Sequence, residues 1–403
     1  MAGAMIIFDD DRGELGPMTD LRASFEVRTG MHSTAARLAA LHPRMLAGFW
    51  VPDRLKAAVA ERADAPVNEL PRGKPLYCAN GRWALPDREL KLRAGEAVIE
   101  AETGDVVAAM LEYADAVSFL QSGELHGQMH AQEVPVGALY RYPWQVIDRL
   151  KETIPRDIET LLVLDALIPP NESQVVGHHP VKVHESARVY PDVVFDAENG
   201  PIVVREGATV RPGAVLCGPC SIGCGATVVD RTLIKANTAI GPMCKVGGEI
   251  GATIFQGYSN KAHDGHLGDS WVGKWVNLGA GTTNSNLLNT YGEVSMLTEL
   301  GGQRHRTGLT FLGSVIGDHV KTAICTRLMT GSVLGTGAMI ATTAAPPTTV
   351  KRFAWLTDSG ERTYRFSKFI EVMKAMMQRR DTEPSDAYMT LLKALYDKHA
   401  AST

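Results

Sequence analysis

Aliphatic side chains recur at every sixth position through the middle of the chain. The register is unbroken through Val204, Val210, Leu216, Ile222, Val228, Ile234, Ile240 and Val246. It resumes at Val272, Leu278, Ile316, Leu328, Leu334 and Ile340, with Thr322 as its one polar member. A fixed short period is the signature of a solenoid, in which each repeat buries its apolar side chain against its neighbours. The pattern predicts a left-handed parallel β-helix of hexapeptide repeats with a triangular section.

Glycines stand where such a helix needs permissive backbone at its corners: Gly207, Gly213, Gly223, Gly225 and Gly241. A glycine-rich β-sandwich would also show scattered six-residue spacings. Eight consecutive positions in register favour the β-helix.

The regions before and after the repeats have a different pattern. Residues 1–175 mix an apolar strand, MIIF, with helical segments such as TGMHSTAARLAAL, which Thr29 or Ser33 is placed to cap. This mixture predicts an α/β domain. The β-helix is expected over 176–345, since AAPPTTV interrupts the register near Ala344. Residues 346–403 contain two amphipathic patterns, which predict helices that serve packing or oligomer formation.

The composition of the chain disfavours several classes of function. The 403 residues carry a net charge of -4, so a general nucleic-acid binder is disfavoured. Apolar runs stay below the roughly 18 residues that span a membrane, and the first residues lack the pattern of a signal peptide. We therefore expect a cytoplasmic protein whose six cysteines are reduced thiols. Cys217, Cys220 and Cys224 resemble a metal cluster, but they fall within the register and no second pair completes four ligands.

One polar stretch interrupts the repeats. Residues 259–286 read SNKAHDGHLGDSWVGKWVNLGAGTTNSN, with two histidines three positions apart among glycines and asparagines. A histidine can act as a base near pH 7, because its pKa lies close to that value. Asp264 is placed to orient His263, and the amides of Gly265, Gly279 and Gly281 are placed to face an oxygen on which negative charge develops.

The same stretch carries a family resemblance. With GGEIGATIFQGY before it and TGLTFLGSVIGDHVKT after it, the stretch resembles a divergent branch of a bifunctional family. The better-known members acetylate glucosamine 1-phosphate and uridylylate the product to UDP-N-acetylglucosamine. PWQVI and the NGR at Asn80 to Arg82 also resemble that branch. The resemblance covers nearly the whole chain and implies a nucleotidyltransferase-like α/β domain, with acetyl-CoA, UTP and Mg²⁺ as cofactor or co-substrates.

The resemblance also assigns roles to residues. It implies that His263 is the base that deprotonates the sugar amine, that His266 and Asn277 contact the sugar, and that Asn286 lies beside the acetyl donor. It further implies a homotrimer with sites between subunits. The chain departs from the family at Leu287, where a tyrosine is expected, and at Gly247 and Gly248, where two phosphate-binding lysines are expected.

Other readings of these residues stay open. The two histidines would also suit a structural loop, or a zinc site with His305 or His319 as third ligand. Lys261 and Lys321 are candidates for a phosphate of the sugar or of coenzyme A, and equally for solvated charges.

The loop after the first strand, DDDRGELGPMTDLRASFEVRTG, replaces the glycine-rich loop that is usual in sugar nucleotidyltransferases. Three consecutive aspartates are candidate Mg²⁺ ligands, and three arginines are candidates for the nucleotide phosphates. The residues concerned are Asp9, Asp10 and Asp11 for the metal and Arg12, Arg22 and Arg28 for the nucleotide. A surface loop of mixed charge is the alternative.

Together these patterns predict an enzyme that acetylates an amino-sugar 1-phosphate and then transfers a nucleotidyl group to it. One alternative is a nucleotidyltransferase whose β-helix is structural. The other is a non-catalytic scaffold or ligand-binding relative.

Overall fold

The N-terminal part of the chain is an α/β domain built on a six-stranded sheet. The computed structural model describes residues 4–86, 90–127, 129–161, 167–171 and 174–400. The sheet has the order β2-β1-β3-β5-β4-β6, and β1 is parallel to both of its neighbours. Its strands are β1 (Ala4–Phe8), β2 (Leu46–Trp50), β3 (Leu76–Asn80), β4 (Glu96–Glu100), β5 (Val106–Leu111) and β6 (His130–Val134). The helices are α1 (Thr34–Leu41), α2 (Asp53–Ala60), α3 (Tyr113–Ser122), α4 (Pro143–Asp148) and α5 (Leu150–Leu161).

The sequence signals of this domain act as expected. Strand β1 is apolar along its length and buried between β2 and β3, as is usual for a parallel strand covered on both faces. Ser33 caps α1, since its hydroxyl accepts a hydrogen bond from the amide of Ala36 at 3.3 Å. The predicted α/β domain is therefore confirmed.

The second part is a parallel β-solenoid with three faces. The first face contains β10 (Arg188–Val189), β13 (Thr209–Val210), β16 (Thr227–Val228), β19 (Lys245–Val246), β21 (Asn260–Lys261), β27 (Lys321–Thr322), β30 (Met339–Ala341) and β32 (Ala354–Thr357). The second contains β8 (Val175–Gly177), β11 (Val194–Ala197), β14 (Val215–Cys217), β17 (Leu233–Ile234), β23 (Thr283–Asn284) and β28 (Arg327–Leu328). The third contains β9 (Val181–His184), β12 (Ile202–Val204), β15 (Cys220–Ile222), β18 (Thr238–Ile240), β26 (Ser314–Ile316), β29 (Ser332–Leu334) and β31 (Thr349–Val350).

Two longer strands, β20 (Glu249–Gly257) and β22 (His266–Lys274), run from the second face to the third. Short β7 (Leu167–Ile168) joins β9 in antiparallel fashion, and the hairpin of β24 (Ser295–Leu297) and β25 (Arg304–Arg306) lies between β23 and β26.

The hexapeptide register forms the core of the solenoid, as predicted. All eight consecutive aliphatic residues from Val204 to Val246 are at most 2% exposed and belong to one apolar cluster. The later members, including the polar Thr322, also point inward. The six-residue spacing is lost in β20 because that strand turns a corner at Ala252, whose φ is 44°. The predicted β-solenoid is confirmed.

The third face is covered by the N-terminal domain. Val203, Ile254 and Trp271 pack with Trp144 of α4 and Ile154 of α5 in one buried cluster. This packing ties the two domains together and leaves the corner between the first and second faces uncovered by that domain.

The C-terminal segment begins later than the sequence indicated. Parallel pairing continues past Ala344 through β31 and β32, and a final strand β33 (Gly360–Thr363) closes a hairpin with β32. The two predicted helices follow as α6 (Phe366–Gln378) and α7 (Asp386–Ala400). They pack against the N-terminal domain, where Met373 and Leu392 share a cluster with Leu55 of α2. None of the described helices is both long and apolar enough to cross a membrane.

Candidate functional site

A cleft of about 550 Å³ opens at the carboxyl ends of the parallel strands β1 and β2. The loop after β1 forms one wall, and the beginning of α2 forms another. Ligands of open α/β sheets bind at this edge, outside the carboxyl ends of the strands. The polar lining consists of Asp9, Asp10, Asp11, Arg12, Asp53, Lys56, Asn68, Gln121 and Ser122. The cleft therefore brings together four of the six N-terminal residues singled out in the sequence.

The carboxylates of the three consecutive aspartates form hydrogen bonds with different groups. Asp9 accepts hydrogen bonds from the amides of Asp11 at 3.0 Å and Ser24 at 2.8 Å. Asp11 faces Arg54 of α2, with oxygen to nitrogen distances of 2.8 and 2.6 Å. The carboxylates of this loop are thus held apart.

Asp10 is the most firmly held of the three. Its two oxygens accept from Nε and Nη2 of Arg82 at 2.8 and 2.6 Å, and from Nδ2 of Asn80 at 2.8 Å. Burial opposes ionisation of Asp10, but the hydrogen bonds and charge of Arg82 outweigh it and lower its pKa. Burial raises the pKa of Asp9, which forms no ion pair with any of the residues that the structure describes.

These contacts bear on the predicted magnesium ligands. Among the described residues, no three histidine, cysteine, aspartate or glutamate side chains are grouped to hold a metal ion. A magnesium ion needs carboxylate oxygens that are free to converge on it. The oxygens of Asp9, Asp10 and Asp11 are engaged elsewhere, so these residues do not fit a resident magnesium ion.

The three predicted arginines are separated by the fold. Arg12 lies in the cleft, half exposed, and pairs with Asp105 at 2.9 Å. Arg22 is buried against the solenoid and forms an ion pair with Asp318. Arg28 also faces the solenoid, since its amide donates to Oε1 of Gln256 at 2.7 Å. The expectation that Arg22 and Arg28 bind a nucleotide beside Arg12 is not supported, because both lie at the interface between the domains.

Two residues that hold the cleft together were missed as site residues. Arg82 is 2% exposed and bridges Asp10 to Asp105, both at 2.6 Å. Lys56 lines the cleft from the exposed side of α2. The NGR tripeptide at Asn80 to Arg82 was a signal for the first, whereas a lone lysine on a helix gives no signal.

The two histidines of the polar stretch lie on different sides of one solenoid edge. We call residues 262–265 the histidine corner, which joins the first face to the second. His263 and Asp264 are exposed there and line a cavity of about 460 Å³ with Gly281 and Cys325. His266 begins β22, and its Nδ1 lies 3.4 Å from Oε1 of Glu249 on the neighbouring rung. The corner therefore presents one histidine to solvent and holds the other beside a carboxylate.

Lys261 points into the solenoid and not toward a ligand. It stacks on Val246 at an inward position and is 1% exposed. Its Nζ donates to the carbonyl oxygens of Gly247 at 3.0 Å and His263 at 2.9 Å. Burial lowers its pKa to about 8. The expected phosphate contact is thus replaced by a buried amine that fixes the backbone of the histidine corner.

Lys321 also forms its hydrogen bonds with backbone carbonyl groups. Its Nζ donates to the carbonyl oxygens of Trp275 at 2.8 Å and His319 at 2.9 Å, and burial lowers its pKa to about 7. The predicted phosphate role of this lysine is therefore not supported by its contacts.

Asn286 and His266 meet over a glycine. Nδ2 of Asn286 donates to Asp269 at 2.6 Å. A Cβ added to Gly268 would lie 2.6 Å from Nε2 of His266 and 2.9 Å from Nδ2 of Asn286. Gly268 therefore lets the imidazole and the amide approach each other on the second face.

The remaining predicted site residues lie on the first face or at the corner. Asn277 accepts from Nδ2 of Asn260 at 3.0 Å on the first face. Gly279 packs against the backbone of Ala323, where a Cβ would come within 2.5 Å. Gly281 has a φ of 72° and lines the corner cavity. A single chain thus places Asn277 and Asn286 on separate faces.

The alternative metal readings find no support in the geometry. Nε2 of His319 is 2.7 Å from the hydroxyl of Tyr388, and His305 packs on Tyr142 and Trp144. Neither is grouped with His263 or His266. Cys220 lies in the solenoid core, whereas Sγ of Cys224 is 3.6 Å from Glu206 and Cys217 lies beside Asp196.

Comparison with known proteins agrees with this architecture. Residues 5–163 match the family of sugar nucleotidyl transferases. The bifunctional sugar-1-phosphate nucleotidylyltransferase/acetyltransferase of Sulfurisphaera tokodaii is 29% identical over 143 residues, which are 35% of either chain. Bifunctional proteins GlmU of a Nostoc and a Jannaschia species are 27% and 30% identical over 41% of this chain, and over 37% and 32% of their own lengths. The chain spans about a third of the length of these curated relatives.

Solved structures that resemble the chain do so at low sequence identity. The acetyltransferase domain of PglB from Neisseria gonorrhoeae is 14% identical, with 86% of this chain and 96% of that chain covered, at a TM-score of 0.18. Its complex with acetyl coenzyme A is 12% identical, with 67% and 100% covered, at a TM-score of 0.17. At these TM-scores the similarity carries no argument. The sequence matches confirm the resemblance: the chain joins a domain that matches the sugar nucleotidyl transferases to a β-solenoid, and bifunctional nucleotidyltransferase and acetyltransferase proteins are its distant relatives.

Proposed function

We propose that the protein is a two-site transferase of sugar-nucleotide synthesis. The solenoid acetylates the amine of glucosamine 1-phosphate with acetyl-CoA. The N-terminal domain then transfers a uridylyl group from UTP to the product, giving UDP-N-acetylglucosamine and pyrophosphate. The observation that carries the proposal is the large cleft at the carboxyl edge of β1 and β2, within the segment that matches the sugar nucleotidyl transferases.

In the N-terminal reaction, a phosphate oxygen of the sugar phosphate attacks the α-phosphorus of UTP, and pyrophosphate leaves. Arg12 and Lys56 line the cleft and supply positive charge for the leaving phosphates. Arg82 keeps Asp10 ionised and fixes the carboxylates of Asp10 and Asp105, so that the wall of the cleft is preorganised. Because the aspartates do not fit a resident magnesium ion, none of these roles depends on one.

In the acetyl transfer, the amine nitrogen of the sugar attacks the thioester carbonyl and coenzyme A leaves as a thiol. His263 takes the proton of the amine, since it is exposed at the wall of the corner cavity. Lys261 holds the carbonyl of His263 and so fixes the direction in which its side chain leaves the backbone. The amides of Gly281 and Gly279 do not stabilise the developing oxyanion, because they donate to the carbonyl oxygen of Asp264 at 3.2 Å and to the hydroxyl of Thr322 at 3.0 Å.

We further propose that the acetyl-transfer site is completed by a second chain in a homotrimer. Asn277 lies on the first face and His266 on the second, so one chain cannot direct both at one sugar. Packing the first face of one chain against the second face of another would bring the two together. Light scattering at working concentration should give three times 43.5 kDa, and an active monomer would contradict the assembly.

The test of the acetyl-transfer site is a panel of amino-sugar 1-phosphates with acetyl-CoA, in which free thiol is measured. We expect thiol release with glucosamine 1-phosphate, and a loss of about 10² to 10⁴ in turnover for His263→Ala with unchanged folding. His266→Ala is the matched control. If His263→Ala keeps wild-type turnover, or if only His266→Ala is damaging, the assignment of the base is wrong.

The test of the N-terminal site is pyrophosphate release from UTP and N-acetylglucosamine 1-phosphate. We expect Lys56→Met to lower this release and to leave acetyl transfer intact. Arg54→Met, on the same helix and paired with Asp11, is the control. A wild-type protein that acetylates but releases no pyrophosphate would contradict half of the proposal.

A second candidate is a nucleotidyltransferase whose solenoid is structural. The packing of α4 and α5 on the third face favours this candidate, because a solenoid without catalytic activity would still support the N-terminal domain. Pyrophosphate release without thiol release from any amino-sugar phosphate would select this candidate.

A further inference from the structure

A second large cavity lies where the N-terminal domain, the solenoid and the C-terminal helices meet. It measures about 740 Å³, a size typical of sites for small organic ligands. We call it the junction cavity, and its principal walls are formed by Arg22, Arg62, Tyr258, Lys274, Asp318 and Tyr388. It takes no part in either proposed reaction.

The cavity holds three cations, and two of them are already paired. Arg22 pairs with Asp318, and Arg62 pairs with Glu26 through two contacts of 2.9 Å. The second oxygen of Asp318 accepts from the backbone amide of Lys274 at 2.8 Å. Asp318 and Glu26 are therefore both paired with an arginine, whereas Glu61 and Glu383, which also line the cavity, are exposed.

Lys274 is the cation left over. Its Nζ has no hydrogen-bond acceptor or carboxylate partner within 4 Å among the described residues, and it lies 6.0 Å from the ring centroid of Tyr258. Partial burial and the positive charge of Arg22 lower the pKa of Lys274 to about 8, although the negative charge of Asp318 acts in the opposite direction. Lys274 is partly exposed within the cavity, so an anion from solution can reach it, and such an anion would stabilise an ammonium that is largely removed from water.

The rest of the cavity suits the body of a ligand that carries such an anion. Tyr258 and Trp275 lie side by side with ring centroids 4.7 Å apart, and Met377 adds an apolar wall. We propose that the junction cavity binds a nucleotide-sized phosphate ester, with the phosphate on Lys274 between Arg22 and Arg62 and the apolar part on the aromatic side chains.

Such a ligand would touch all three parts of the chain. Arg62 belongs to the N-terminal domain, Lys274 to the solenoid, and Tyr388 to α7. Because a ligand that binds only the folded chain stabilises it by mass action, binding here raises the resistance of the domain junction to unfolding. The cavity is thus a candidate effector site for a phosphorylated metabolite.

The experiment is thermal unfolding of the full-length protein in increasing concentrations of uridine monophosphate, inorganic phosphate or sodium acetate, at equal ionic strength. We expect uridine monophosphate to raise Tm more than acetate does. Lys274→Met should weaken the apparent affinity by about tenfold or more, as expected for the loss of a charge-assisted hydrogen bond. Lys274→Arg, which keeps the charge, should restore most of the effect.

Two controls separate this site from others. Lys368→Met removes the same charge from the exposed side of α6 and should leave the shift in Tm unchanged. Lys56→Met tests the cleft at β1 and β2, where a nucleotide also has a place. The inference is overturned if the shift survives Lys274→Met, if only Lys56→Met removes it, or if acetate at equal ionic strength produces the same shift.

Discussion

Lys261 should make the solenoid more stable as pH rises through the alkaline range, whereas a lysine in a favourable ion pair makes a protein less stable over that range. It occupies an inward position between Val246 and Leu278, where the register elsewhere places aliphatic residues. Burial lowers its pKa from 10.5 to about 8. A shift of this size corresponds to a destabilisation on the order of 3 kcal/mol when the amine is charged.

The sign follows from the proton balance of the folded and unfolded chains. Below about pH 8 both states carry the proton, and the folded state bears the full cost of the buried ammonium. From there to the unfolded pKa of 10.5, the unfolded chain binds more protons than the folded chain, so the free energy of unfolding rises with pH. Above that value neither state is charged, and the cost is gone.

The perturbation is Lys261→Met, which keeps the length of the side chain and removes the charge. The difference in unfolding free energy, wild type minus variant, should rise by on the order of 3 kcal/mol between about pH 7 and about pH 10.5. Urea unfolding followed by circular dichroism over this pH range measures it, and Lys368→Met corrects for the general loss of a positive charge. A difference that stays flat, or falls as pH rises, would refute the reasoning.

Two further predictions concern packing and buried charge. Arg82→Met should lower the free energy of unfolding by about 3 to 5 kcal/mol, because it removes the buried cation that Asp10 and Asp105 share, whereas Arg54→Met, which breaks an exposed pair, should stay within about 1 kcal/mol. Ile234→Ala should cost about 2 to 5 kcal/mol through a cavity in the solenoid core, and Leu233→Ala, one residue earlier and pointing outward, should cost less. Urea unfolding measures the stability of each variant. A prediction is contradicted if its two variants, in the core and on the surface, lose the same amount of stability.

The fold could be predicted because its signal is local and repeated. Each aliphatic residue from Val204 to Val246 has the same task, so one pattern read along the chain identifies eight core positions. The pattern fails at β20, where the backbone turns at Ala252 and the spacing shortens. That shift carries Lys261 into the core, although its sequence setting suits a phosphate ligand and a solvated charge equally well.

The site could be predicted only in part because charged residues find their partners across the chain. Arg22 stands near Asp9 to Arg12 in sequence, but its partner is Asp318, which lies 296 residues away. The reverse holds for Arg82, which joins Asp10 and Asp105 although neither is its neighbour in sequence. Spacing in one loop therefore identified the wall of the cleft at Asp9 to Arg12, whereas only the fold shows which arginines reach it.

The way the solenoid is covered decides where a second chain can add to its site. The third face is sealed by α4 and α5, and Trp275 and Phe353, at the next corner, belong to the cluster that α6 and α7 complete. Among the residues that the structure describes, none from these helices covers the histidine corner: Ile324 beside it is 73% exposed, and Cys325 is exposed as well. Asn277 lies on the first face beside this corner, and His266 lies on the second face. A partner chain that covers Ile324 would therefore also bring its own Asn277 and His266 close to His263.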